Sequence, residues 1–573
     1  MLLFALLALT LAGCLAGLAR WAWLATAAAL ATLGWGGYWS AGLSVVPGLL
    51  PFAVGVGNAA TQGLLQVLLV VYVAVHLYSV HYLGGQRGQR RYFSFLSLFL
   101  LGMATLMAAE SHLALLLGWE TIGLASFGLV SFYRAEQPVA QQASWVFWLN
   151  RGGDAALLAA VGLALAGHPW AIYGYLGAAV VKSALFPFSV WLPWAMVGPT
   201  PVSALLHAAT LVVAGVVLLT HPLVQPLWAE APALQTILQA WGLLSAVLAA
   251  WAACQTLNLK RLLAYSTLAH IGLMMMATPA GTDALGHLGT HAIFKTGLFL
   301  SLGLLHRYEV PAWQAWPRVW QLLRRQPTAL LAVVAAGLFA WALLGLAPWP
   351  AHATKAALFH TLLLGPAWAP TLAYAAYTAL TAVYAVRFVA GFAQALAHEV
   401  EAHGAPGWVQ LTIVAALVPL LAWDPLAMSY ANLGAEAKPS VWMEIAPWVL
   451  LAAALGWQAA RRGSIALPAG QALFAGAELA WRKALGLNRS IALGLQTLDA
   501  AWALLWVRAA QGGVVLGWLV TSAEAAVLAC VRLLGKVLLL PFRWLVDDAG
   551  TLSPARMAWT ALAVALVAGW WFG

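Results

Sequence analysis

Charge is scarce in this sequence. Only 8% of its 573 residues are Asp, Glu, Lys or Arg, while 63% are hydrophobic. A soluble domain carries about 25% charged residues, so a soluble globular protein is excluded. Cysteine is scarcer still. Cys14, Cys254 and Cys530 stand apart in apolar sequence, which gives no zinc spacing, no iron–sulfur signature and no disulfide framework. No GxxxxGK[ST] loop is present, and no dinucleotide fingerprint follows a strand, so nucleotide hydrolysis and hydride transfer have no seat here. No catalytic set, cofactor or metal site is expected in the chain itself. The stretch from Met1 to Gly17 lacks the basic start of a cleavable signal and reads as a first span. Lys and Arg number 27 against 17 Asp and Glu, a net charge of +10. In so apolar a chain that excess marks inner loops, not nucleic-acid binding.

What is there in abundance is apolar runs of about 20 residues, the length of a bilayer crossing. They fall near 2–18, 22–40, 59–82, 92–109, 112–132, 142–166, 171–195, 200–220, 236–257, 262–278, 284–305, 328–364, 370–394, 408–424, 440–459 and 555–572. The runs are continuously apolar, not alternating, so they predict helices, not barrel strands. The expected fold is an all-α multi-spanning membrane protein of about 16 helices. Loop charge orients it. With the N-terminus outside, the inner loops hold Arg20, Arg87, Arg90, Arg91, Arg134, Lys260, Arg261, Arg307, Arg318, Arg324, Arg325, Arg461 and Arg462, and the outer loops hold little beyond Lys438.

Two runs are interrupted. Pro187 follows Lys182, and Pro348-Trp349-Pro350 precedes Lys355. Proline removes an intrahelical hydrogen bond, and in a bilayer the freed carbonyls must find partners in a polar interior. Breaks at matching places in two halves suggest inverted five-helix repeats, here 91–222 and 236–395. Around them lie N-terminal helices over 1–90 and further helices over 396–464. The segment 465–550, with sparse single charges, is expected as a long amphipathic helix lying along the membrane against other subunits. Two additional spans within 491–534 are the alternative. A last span closes the chain at 551–573.

A charge at the bilayer centre costs several kcal/mol by insertion scales, about 3 for Lys, Arg or Asp, so each one needs a partner or a task. Candidates along the chain are Glu120, Arg151, Asp154, Lys182, His207, His287, His291, Lys295, Lys355 and Arg387. His287, His291 and Lys295 recur every fourth residue and form one helical stripe, drifting about 40° per step. Such a stripe can pass protons along water. Glu120 and Lys182 are expected to pair across helices, either as a movable partner that lets the lysine bind and release a proton or as a static ion pair. Arg151 and Asp154, three residues apart, read as a local structural pair. Arg387 reads as a snorkelling residue.

Several motifs resemble the antiporter-like subunits of respiratory complex I, in particular the distal NuoL type. They are Leu117-Gly118-Trp119-Glu120, Lys182-Ser183-Ala184 with Pro187, Gly198-Pro199-Thr200-Pro201-Val202-Ser203-Ala204-Leu205-Leu206-His207, Lys260-Arg261-Leu262-Leu263-Ala264-Tyr265-Ser266-Thr267 and Thr290-His291-Ala292-Ile293-Phe294-Lys295. The wider group includes Mrp antiporter subunits and the DabB-type membrane partner of an inorganic-carbon system. The resemblance implies a proton path through Glu120, Lys182, His207, His287, His291, Lys295 and Lys355, with Pro187 and Pro350 at the helix breaks and Arg151 and Asp154 as structural support. It implies a translocase subunit of the NADH:quinone oxidoreductase kind in a bacterial-type inner membrane, beside other membrane subunits contacted along 465–550. A DabB-like subunit would instead drive CO2 hydration or bicarbonate uptake through a soluble zinc partner on the cytoplasmic side. The same motifs also suit an Mrp-like cation/proton antiporter subunit or a non-conducting structural subunit. The chain departs from the pattern where Asn258, Ala356 and Trp194 stand in place of family acidic residues, and an Asp-Gly motif is missing near Asn58.

Overall fold

A computed structural model describes residues 59–133, 135–309, 316–362, 369–404, 406–423 and 447–453. The spans expected at 2–18, 22–40 and 555–572, the lateral helix of 465–550 with its alternative 491–534, the N-terminus, Cys14, Asn58, Lys438 and Cys530 lie outside the described residues.

The described chain is helical throughout. In order come α1 (Ala59–Tyr82), α2 (Gln89–Met107), α3 (His112–Val130), α4 (Gln137–Leu165), α5 (Ala171–Lys182), α6 (Thr200–Ala208), α7 (Ala214–Leu219) and α8 (Pro232–Gln255). They are followed by α9 (Leu259–Ala277), α10 (Thr282–Leu302), α11 (Trp316–Arg325), α12 (Pro327–Leu344), α13 (Ala351–His360), α14 (Ala369–His403) and α15 (Trp408–Ala416). Among the described residues, six helical stretches are both long and apolar enough to cross a membrane: Ala60–Tyr82, His112–Val130, Thr200–Leu219, Pro232–Gln255, Pro327–Leu344 and Ala369–His403. At 1.5 Å per residue α14 is about 52 Å long, well beyond a hydrocarbon core of about 30 Å.

Capping sets several helix starts. Ser111 caps α3 by accepting from the Ala114 N–H, and Asn258 caps α9 by accepting from the N–H groups of Lys260 and Arg261 at 3.1 Å each. Asn258 therefore fills the role an aspartate would have there, since the two residues cap about equally well.

The interior is organised around α10. It packs against α1, α6, α9, α12 and α13, so nearly every side chain from Ala284 to Leu302 is buried. A helix enclosed on all sides has no lipid to face and can carry polar groups inward. Small residues let neighbouring helices approach. Gly242 on α8 and Gly272 on α9 face one another so closely that a Cβ on Gly272 would sit 2.7 Å from the Gly242 carbonyl oxygen, a contact typical of membrane helix pairs.

The expected interruptions are present. α5 stops at Lys182, and short turns over Phe188–Val190, Trp191–Trp194 and Ala195–Val197 replace its continuation. α12 stops at Leu344, Gly345 adopts φ +77°, and α13 begins at Ala351. The Phe186–Pro187 and Ala347–Pro348 peptides are cis. One break was not expected: the run at 200–220, read as a single span, divides at Ala209 and Thr210 into α6 and α7. No proline marks this break, so the apolar pattern concealed it.

Hydrogen bonds gather one set of loops at one end of the molecule. Tyr308 bonds Thr200 and Tyr82, Lys260 donates to the Gly198 carbonyl at 2.7 Å, and Tyr133 bonds Gln86. Arg87, Arg261, Arg307, Arg318, Arg324 and Arg325 belong to this end, whereas the turns at 108–111, 166–170, 220–231 and 278–281 hold no Lys or Arg. Among the described residues, then, the basic loops read from the sequence and the loops without Lys or Arg form separate sets. Lys260 is an exception. Expected in a loop, it is buried under the ring of Tyr308, its ammonium 5.2 Å from the ring centroid.

Candidate functional site

Each helix break frees backbone carbonyls, and donors reach them from elsewhere in the fold. Trp191 Nε1 donates to Val181 O at 2.9 Å, Ser183 Oγ to Val212 O at 2.8 Å, and Trp241 Nε1 to Phe186 O at 2.5 Å. At the second break Lys355 Nζ donates to Leu344 O at 2.9 Å, and His352 Nδ1 lies 2.9 Å from Gly345 O. At the break inside 200–220, His291 Nδ1 lies 3.1 Å from Ala208 O. Satisfying exposed backbone in an apolar medium in this way is what allows irregular chain at membrane depth. It also brings Lys355 and His291 to the breaks.

Glu120, Arg151, Asp154 and Lys182 form one ionic cluster at the end of α5. Arg151 pairs with both Glu120 and Asp154. Asp154 lies 3.1 Å from the Lys182 ammonium and accepts from the indole N–H of Trp119. Lys182 also donates to the Trp119 carbonyl at 3.3 Å and sits 4.1 Å over the Trp119 ring. The expected Glu120–Lys182 contact is therefore corrected: the carboxylate that holds Lys182 is Asp154, and Arg151 stands between Glu120 and that pair. The reason is helix register. Asp154 and Lys182 are only 5% and 1% exposed, on facing sides of α4 and α5, while Glu120 keeps 38% of its side chain exposed. Gly123 leaves the space the cluster needs, since a Cβ there would collide with Arg151 and lie 3.7 Å from Lys182 Nζ.

A second cluster lies around α10. His287 and His291 are buried, as is Lys295, which donates to Ser266 Oγ. His270 of α9, absent from the candidates read in the sequence, joins them. Its Nδ1 is 3.0 Å from His287 Nε2, and its ring centroid is 5.5 Å from that of His291. His287 Nδ1 lies 2.9 Å from Thr354 Oγ1, and Thr290 Oγ1 is 3.2 Å from the same hydroxyl. A continuous chain of exchangeable groups thus runs from α9 through α10 to α13, ending at the neighbour of Lys355. His270 is one histidine in an apolar run, with no partner at helical spacing, so only the packing of α9 on α10 discloses it.

The other candidates take separate places. His207 is fully buried at the end of α6, stacked on Phe299 with centroids 5.3 Å apart, and neither of its ring nitrogens has a hydrogen-bond partner in the protein. Lys355 lies 5.0 Å from the centroid of Tyr377. Ala356 beside it is buried and apolar, and among the described residues Lys355, Lys295 and Lys260 have no carboxylate within ion-pair distance. Pro187 and Pro350 flank the two breaks. Arg387, expected to reach for the interface, donates at 3.3 Å to the carbonyl of Thr256, in the short loop between α8 and α9.

The described residues thus form an apolar helical chain in which buried amines, imidazoles and carboxylates are enclosed between interrupted helices. Residues 109–381 match the model of the family described as NADH:quinone oxidoreductase/Mrp antiporter, TM. Among curated relatives, NADH-quinone oxidoreductase subunit L of Mycobacterium tuberculosis is 39% identical over 255 residues, 40% of either chain. The Escherichia coli subunit L is 37% identical over 265 residues, covering 42% of this chain and 43% of that one. The Pseudomonas aeruginosa subunit L is 32% identical over 428 residues, 66% of each. The first of these alignments spans about two fifths of the relative's length. In fold, the chain is similar to a structure of the Mrp complex from Dietzia, with a TM-score of 0.68 at 24% identity, covering 92% of this chain and 63% of that one.

Proposed function

We propose that this chain is a proton-translocating subunit of the NuoL type, working inside a larger NADH:quinone oxidoreductase-like membrane complex. The observation that carries the reading is the hydrogen-bonded series His270–His287–Thr354, which joins two helices of the core to the break that holds Lys355. Imidazoles and hydroxyls both donate and accept, so a proton entering one end can leave at the other without any heavy atom moving far. The ionic cluster at Lys182 is the entry side of the path, and Lys295 and His207 connect it to the imidazoles. Among the described residues, no direct chain of side-chain hydrogen bonds joins the two clusters. The orphan nitrogens of His207, with Nε2 of His270 and of His291, call for water there, because buried polar groups are otherwise almost always paired. A cavity of about 10 Å³, near the size of one water, lies between Arg151, Asn150, Ser126 and Lys182.

The repeats 91–222 and 236–395, an outward N-terminus and docking of neighbouring subunits along 465–550 belong to the same proposal. Broken helices ending or starting beside Lys182 and Lys355 support the first, and the basic end of the molecule supports the orientation. The identity of relatives over the motif-bearing half favours this reading over a carbon-uptake subunit. Its test is Lys295→Ala in the whole complex, reconstituted in proteoliposomes. Proton flux is expected to vanish while the complex assembles and its redox reaction continues. Undiminished flux per electron in an assembled Lys295→Ala complex rejects the relay.

A further inference from the structure

A second group of titratable side chains lies far from this path, at the basic end. His306 follows α10, and Glu399 and His403 occupy the last turn of α14. His306 Nδ1 is 2.5 Å and His403 Nδ1 2.8 Å from the same carboxylate oxygen, Glu399 Oε1. The donor atoms of the three residues all lie within 4.8 Å of one another. The two imidazoles stack at 5.0 Å between centroids, 29° from parallel. Glu399 and His403 are four residues apart and share a helix face, and the His306 N–H donates to Glu399 Oε2 at 3.4 Å. The carboxylate is nearly buried at 11% exposure, while the imidazoles are 73% and 61% exposed.

We propose that His306, Glu399 and His403 form a binding site for a divalent transition-metal ion of the zinc class. Two imidazoles and one carboxylate are a three-ligand set that zinc accepts, with a fourth position left to water. Nitrogen donors select such ions over magnesium or calcium, which prefer oxygen. Bonds of about 2.1 Å in tetrahedral geometry put ligand atoms about 3.4 Å apart, so both imidazoles back away from Oε1 by less than about 1 Å, and their two nitrogens, within 4.8 Å of each other, settle to the same spacing. Their exposure leaves them free to do so. The neighbouring Glu401 is already engaged by Arg318 at 2.6 Å, which leaves Glu399 as the anionic ligand. The bound ion ties the segment leaving α10 to the end of α14, a link between residues 93 apart in sequence, which is why no metal spacing was visible in the linear pattern.

The test uses the full chain, purified in nanodiscs without a polyhistidine tag, stripped with chelator and titrated with Zn²⁺ alone at neutral pH by calorimetry. One saturable site is expected, together with a zinc-dependent rise in melting temperature. His306→Ala, His403→Ala and Glu399→Gln are each expected to weaken binding by at least about 100-fold, more than the loss of outer-shell support usually costs. The histidine variants should melt as the wild type does when zinc is absent, because both side chains are exposed. Absence of saturable binding in the wild type overturns the proposal. So does wild-type affinity in the His306→Ala, His403→Ala double variant, or Mg²⁺ binding as tight as Zn²⁺.

Discussion

Asp154→Asn is the substitution that most directly probes the site. In the wild type the Asp154 carboxylate is 3.1 Å from the Lys182 ammonium, with both side chains buried. At an effective dielectric of about 20, two unit charges at that distance attract by about 5 kcal/mol. Removing one partner of a buried pair typically costs about 3–5 kcal/mol, because the other charge is stranded. Asparagine keeps the shape and still accepts from Trp119 Nε1, so the change isolates the charge. What remains to the ammonium is the neutral amide oxygen of the asparagine, the Trp119 carbonyl at 3.3 Å and the Trp119 ring at 4.1 Å. A transfer step that passes through charged Lys182 should then slow by about 10²- to 10⁴-fold, at about 1.36 kcal/mol per decade. Glu120→Gln should be milder, less than about tenfold, since Arg151 keeps Asp154 as its partner and the Glu120 side chain is partly exposed. The assay is dye-reported acidification of proteoliposomes carrying the assembled complex, normalised to its redox turnover. Wild-type pumping by Asp154→Asn, or a Glu120→Gln defect larger than that of Asp154→Asn, would refute the assignment of Asp154 as the partner of Lys182.

Two further outcomes are expected. His270→Leu removes the link between α9 and His287; it leaves His287 Nε2 without its 3.0 Å partner, costs about 1–3 kcal/mol for the stranded buried group, and should lower proton flux at least about tenfold, whereas equal flux in an assembled complex would place the route elsewhere. Gly272→Ala forces a methyl to 2.7 Å from the Gly242 carbonyl oxygen and the Ala246 nitrogen; overpacking of this kind costs about 1–3 kcal/mol, so the melting temperature in detergent should fall, and an unchanged melting curve would show that α8 and α9 separate freely.

Much of this architecture was legible in the linear pattern because its causes are local. Apolar runs of bilayer length place α1, α3, α8, α12 and α14, and proline with a nearby lysine places both expected breaks. Four-residue spacing puts His287, His291 and Lys295 on one helix, where they indeed lie buried. Other features depend on no local signal. The division between α6 and α7 carries no proline. The cap at Asn258 shows how an apparent loss of an acidic residue is neutral for structure, since a side-chain oxygen is all the N-terminus of α9 needs. Lys260 looked like a loop charge because it precedes an arginine, yet the chain folds it under Tyr308.

The residues themselves determined that the protein lives in a membrane, is helical, and carries amines and imidazoles within its apolar runs. Those conclusions follow from hydropathy and from the cost of charge in hydrocarbon, which act on each segment separately. Only the tertiary structure decided which groups meet: Asp154 with Lys182, His270 with His287, Thr354 between His287 and the second break, and His306 with Glu399. Helical periodicity fixes the face on which a side chain stands, but the rotation and depth of one helix against another are set by packing of small and large residues along their whole length, and no single position in the sequence records that sum.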